Sequence, residues 1–127
     1  MKLAAAALGL LLLPASAETA LAQTRSTGWI TLSEWETIVL SLFDTDDLPI
    51  KAECKDTGAK VANARSALVR ITFTKNTTGT IDWFWAIADH YSASKARLES
   101  RGYELVSYDE YHRASGRKVP CAIWHKR

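Results

Sequence analysis

Apolar residues recur along this chain in three rhythms. From Leu3 to Leu13 they form one unbroken run, closed by Pro14. From Leu32 to Leu42 they fall at helical spacing, as Leu32, Trp35, Ile38, Val39 and Leu42, with Glu34 and Glu36 early, where a helix dipole favours acids. Two hydroxyls there each precede a glutamate by three residues, Thr31 with Glu34 and Ser33 with Glu36, which is the capping-box pattern. A helix over about 32–43 follows, ended by Asp44–Asp47 and barred from continuing by Pro49.

Beyond Pro49 the spacing is mostly alternation. Ile50, Ala52 and Cys54 alternate with Lys51, Glu53 and Lys55, which predicts a strand over 50–55. A polar loop with Gly58 follows, over 56–65. Val69, Ile71 and Phe73 alternate with Leu68, Arg70, Thr72 and Thr74 in a strand over 67–75, and Asn76–Gly79 reads as a turn. The aromatic stretch Ile81–Ile87 predicts a strand with Trp83 and Trp85 on one face and Phe84 on the other. Ser92 or Ser94 caps a second helix over about 93–101, and Gly102 stops it. Strands over 103–112 and 118–125 then flank a hairpin turn at Ala114–Arg117, with Pro120 expected on an edge or at a bulge. Helix 32–43 and helix 93–101 are each followed by two strands, a faint internal duplication of pattern. Thr24–Gly28 reads as a polar, mobile leader.

The first 22 residues have the layout of a secretory signal peptide. Lys2 supplies the positive end, and small-residue cleavage sites end at Ala17 and at Ala22. The apolar run is shorter than the ~20 residues needed to span a bilayer. The expectation is cleavage after 22, or alternatively after 17, leaving 23–127 as one domain in the periplasm or outside the cell, with no membrane span. An Ala/Leu-rich leader of this type points to a bacterium, so Asn76-Thr-Thr78 is read as turn chemistry and not as a glycosylation acceptor.

Charge adds little. Of 16 basic and 14 acidic residues, Lys2 and Glu18 lie in the leader, so the balance of +2 persists without it and argues for neither nucleic acid nor membrane. The acids crowd before Ile50, and the bases crowd the last third. The two cysteines, Cys54 and Cys121, predict a structural disulfide in an exported chain, because neither CxxC nor Cys/His clustering supports a redox or metal role. Such a bridge closes a loop worth about 4 kcal/mol in the chain-entropy model.

Catalytic patterns are lacking. There is no Gly-x-Ser-x-Gly, no phosphate loop and no cysteine left for a Cys/His pair. His90 follows Asp89, but neighbours on a strand point to opposite faces, and His112 and His125 make an incomplete metal set. No catalytic residue, metal or cofactor is therefore predicted. Five tryptophans and four tyrosines are many for a small domain. They serve either as core or as a binding face, for which Trp83, Trp85, Tyr108 and Tyr111 are the candidates.

The segment Leu98-Glu-Ser-Arg-Gly-Tyr-Glu-Leu-Val-Ser107, followed by Tyr111, a Gly116 turn and Ala122-Ile-Trp-His-Lys126, resembles the bacterial tandem repeat domain, an αββ module also found in the N-terminal region of fungal polyglycine hydrolases. The likeness covers about residues 92–126 and departs from the pattern at Pro120-Cys121. It implies an αββ unit with a non-catalytic accessory or recognition role, and it carries over no catalytic residue.

The sequence thus predicts a single α+β domain: a twisted antiparallel sheet, two helices packed on it and a Cys54–Cys121 staple. The expected role is an exported, non-enzymatic binding or envelope-associated module for a protein or cell-envelope ligand. The alternative is a small inhibitor of a secreted hydrolase of lysozyme or protease type. An exposed loop at 56–66 or 113–118, carrying Arg117 or Lys118, would then enter the target's cleft.

Overall fold

The structure is a computed structural model that describes residues 23–58 and 66–127. The leader, its two cleavage sites and most of the 56–66 loop lie outside the described residues.

Among the described residues the chain folds as α+β, with two helices and two antiparallel sheets where one sheet was expected. Strands β1 (Arg25–Ser26) and β2 (Ile30–Thr31) are followed by α1 (Leu32–Asp44), β3 (Asp47–Asp56) and β4 (Ala67–Lys75). Then come β5 (Asp82–Ile87), a 3-10 turn (Ala88–His90), α2 (Tyr91–Glu99), β6 (Glu104–His112) and β7 (Lys118–Lys126). In the first sheet β4 is central, with β3 on one side and β1 and β2 in line on the other. The second sheet has the order β5-β7-β6.

The expected mobile leader is therefore a strand. Arg25 and Ser26 pair with Phe73 and Thr72, and Ile30 and Thr31 pair with Val69 and Leu68. Between them Thr27 bridges the gap, its N–H donating to Ile71 O and its hydroxyl accepting from Ile71 N. This edge segment is held both by its backbone and by polar side chains, the Thr27 hydroxyl on Ile71 and Arg25 on Asp47.

Local signals explain both helices. Of the two capping boxes in the sequence, Thr31 with Glu34 forms: Glu34 N–H donates to Thr31 Oγ1 at 3.1 Å and Thr31 N–H to Glu34 Oε2 at 2.8 Å. The stripe of Leu32, Trp35, Val39 and Leu42 is buried. Helix α2 starts two residues earlier than expected because it grows from the 3-10 turn and uses no serine cap. Its end is a Schellman turn: Tyr103 N–H reaches Leu98 O and Gly102 N–H reaches Glu99 O, with Gly102 at φ 89°, which only glycine adopts freely. Leu98 and Tyr103 then pack in the same small cluster with Ala86, Ala122 and Trp124.

Both sheets follow one plan. A first strand pairs with the third, a helix follows the first strand, and the second strand pairs on the third strand's other side. The second strand is bulged near its start in each case, between Pro49 and Lys51 and between Leu105 and Ser107. The residues facing the start of each bulge are Phe73 and Trp124, whose partners on the other side are Arg25 and Phe84. From Arg25 to the first helical residue is seven positions (25 to 32), and from Phe84 it is also seven (84 to 91). The chain is thus two β-α-β-β units with matching register, which gives the faint duplication in the sequence a structural form.

The units pack through their second strands. The larger core joins Trp35, Val39 and Leu42 of α1 and Ala52, Cys54, Val69 and Ile71 of the first sheet to Trp83, Ile87, Val119, Cys121 and Ile123 of the second. Helix α2 covers the second sheet's other face. With both faces covered, β7 reads Val-Pro-Cys-Ala-Ile-Trp, a continuous and not an alternating run. Pro120 stands where β5 has already ended, opposite Cys121, so β7 is flanked there on one side only. Pro49 lies buried at the β3 bulge on the sheet's edge strand.

Candidate functional site

Cys54 and Cys121 form the expected disulfide, with Cα atoms 6.4 Å apart, joining the second strand of the first unit to the third strand of the second. Asp109 lies against this bridge. Its Oδ2 accepts from the N–H of Cys54 at 3.0 Å, and Ser107 Oγ accepts from the N–H of Ala52 at 2.9 Å. These two side chains satisfy the open edge of β3, which would otherwise present unpaired donors. Among the described residues, Cys54, Asp109 and Cys121 make the one group of three donors close enough to hold a metal, with ligand atoms within 4.8 Å. Two of the three are consumed by the disulfide, so the group is structural.

The six candidate binding residues do not converge. Trp83 is buried, at 6% exposure, and Trp85 is half-buried with its ring edge-on to Trp35 at 5.7 Å. Both turn toward α1 and not toward solvent, because the inner face of the second sheet is the larger core. Tyr108 and Tyr111 take opposite faces of β6. Tyr108 is exposed on the α2 side, edge-on to Tyr91. The Tyr111 hydroxyl donates to Ser66 O at 3.1 Å, and burial pushes its phenol above the usual range against the pull of Arg113. Arg117 and Lys118 are exposed at the β6–β7 turn, where Lys118 lies 3.7 Å from Glu110. That turn is short and held by Arg113 N–H to Arg117 O and Gly116 N–H to Arg113 O.

The histidines are also apart. His112 and His125 stand at opposite ends of the β6–β7 ladder, paired with Lys118 and Glu104. The His125 ring bonds Pro49 O at 2.7 Å, tying β7 to the β3 bulge. His90 is exposed at the start of α2.

A different place gathers chemistry. An open groove of about 400 Å³ runs between the C-terminal end of α1, the Asn76–Gly79 turn, the start of β5 and Tyr103, at the junction of the two units. Phe43, 55% exposed, lies flat on Trp83 at its lip, with ring centroids 4.4 Å apart and planes 7° from parallel. Three acids line it. Asp47 is buried and engaged by Arg25, Lys75 and the Thr45 hydroxyl. Burial pushes its carboxyl up, but Thr45, Lys75 and Arg25 together outweigh that and hold it below the usual carboxylate range. Asp46 and Asp82 are exposed, and their carboxylates make no hydrogen bond or ion pair to a described residue. Asn76 spends its Nδ2 on Ile81 O and its N–H on Asp46 O, fixing the turn, while its Oδ1 is buried without a donor.

Of the groove's residues, sequence reasoning pointed to Trp83 as a binding candidate and missed Phe43, Asp46, Asn76 and Asp82. Phe43 stands four residues after Val39 and eleven after Leu32, on the helix's apolar side, so its exposure could not be read from the spacing. One signal was available: the helix ends in acids with no basic residue in its last turn, against its own dipole.

The chain matches no known family model, no curated protein and no solved structure. Among the described residues, no helix is long and apolar enough to cross a membrane.

Proposed function

We propose that the protein is an exported, non-catalytic binding module of the cell envelope or extracellular space, and that the groove beside Phe43 is its ligand site. The observation that carries this reading is the Phe43–Trp83 stack. An aromatic ring more than half exposed is held rigidly by a buried one at the mouth of a concavity, the arrangement that binding surfaces use for an anchor. The described lining offers no histidine, cysteine, serine or lysine, which favours recognition over group transfer. The leader pattern and the disulfide favour export. The resemblance of residues 92–126 to the bacterial tandem repeat domain implies a recognition role as well.

The test is capture by the tagged protein from bacterial envelope extracts, run beside Phe43→Ala. The variant should keep its circular dichroism, with a melting temperature lowered slightly by loss of the stack on Trp83, while losing the captured species. Equal capture by both proteins would remove the groove from the account.

A further inference from the structure

Taking the groove as the ligand site, we infer that it receives a cationic side chain, the guanidinium or ammonium of an arginine or lysine presented by a peptide.

Charge is the first reason. Asp46 and Asp82 line the groove without a partner among the described residues, no described lysine or arginine lines it, and α1 points its carbonyl end at this region with Asp44 as its last residue. Lys75 answers part of this charge, with its Nζ on Thr45 O at 2.9 Å and beside Asp47 at 3.3 Å, but Asp46 and Asp82 keep the sign of the helix's carbonyl end, and a bound cation relieves them.

The aromatic rings give an independent reason. The fold repeatedly covers its part-exposed rings with its own cations: Lys55 and Arg70 over Trp29 at 4.2 and 4.6 Å, Arg25 over Phe73 at 4.9 Å, Arg97 over Phe84 at 5.0 Å and Lys126 over Tyr103 at 5.7 Å. Phe43, the most exposed aromatic ring, carries no described cation. Phe43 lines the same groove as the carboxylates of Asp46 and Asp82, so a cation entering it would meet ring and acid together.

A peptide is favoured over a free amine because the apolar surface continues past the groove. Leu40, 70% exposed, sits one turn before Phe43 on the same helix face and extends the contact for residues flanking the cation.

The test is an amide-resonance titration of the purified disulfide-bonded protein with acetyl-Leu-Arg-Leu-amide and with its citrulline counterpart, which keeps the shape and loses the charge. The arginine peptide should shift resonances of residues 42–47 and 76–84, bind about tenfold more tightly than the citrulline peptide and weaken with salt. Asp46→Asn with Asp82→Asn should erase that difference. Equal affinity for both peptides at the groove, sensitive to Phe43→Ala, overturns the cation inference and leaves the groove standing. Absence of groove shifts at millimolar arginine peptide also overturns it, and the Phe43-dependent capture then decides the groove by itself.

Discussion

Asp109 accepts a hydrogen bond from the N–H of Cys54 while standing directly opposite Cys121 in the β6–β7 ladder. The disulfide, the carboxylate and the ladder therefore close one ring of contacts between the two β-α-β-β units. The bridge ties the chain, and Asp109 seals the strand edge that the bridge brings near.

Removing the bridge should be costly. Cys54→Ala with Cys121→Ala releases a 67-residue sequence separation and leaves small voids at two buried positions. A loss of about 2–5 kcal/mol is expected, read as a lower urea midpoint against the oxidised protein. An unchanged midpoint would mean that the units are held by packing alone.

Asp109→Ala leaves the Cys54 N–H without its acceptor and reopens the β3 edge. The expected cost is about 1–3 kcal/mol, with faster hydrogen exchange at Cys54. Ser107→Ala should do the same at Ala52, more weakly, since a neutral acceptor is lost. Exchange rates unaltered at both amides would show that these side chains do not seal the edge.

Acid should weaken the fold through Asp47. Its folded pKa lies below the unfolded value, so its contribution is fully present above the unfolded aspartate pKa of about 3.9 and disappears as pH falls through the lower, folded value. Glu53 acts in the same direction, held down first by its hydrogen bonds to Arg70, but it is more exposed and contributes less. Asp47→Asn should flatten the loss of stability below pH ~4 in urea titrations at stepped pH. A variant with the native slope there would assign the acid sensitivity to other groups.

Much of this architecture was legible because its signals are local. A capping box, a helical stripe and alternation each act within a few residues, so α1 and strands β3 to β7 could be placed from the sequence, and the cysteine count pointed to the bridge. Pairing is not local. Alternation in Val69, Ile71 and Phe73 says nothing about which strand lies alongside, so two sheets looked like one, and the two-residue strands at Arg25 and Ile30 exist only because β4 pairs with them. The direction of Trp83 and Trp85 was ambiguous for a related reason: both faces of β5 carry large rings, and only packing against α1 decides that Trp83 and Trp85 point inward while Phe84, under Arg97, stays part-exposed on the α2 side. The groove was least visible, since Phe43, Asp46, Asn76 and Asp82 meet only after the two units dock.

The most direct measurement of the groove's role is photo-crosslinking in intact cells, with p-benzoylphenylalanine at position 43 and, as a control, at exposed Val106 on β6. A discrete crosslinked species from position 43, absent from position 106, is the expected result. Crosslinking from position 106 with none from position 43 would place the working surface on β6 and contradict the account.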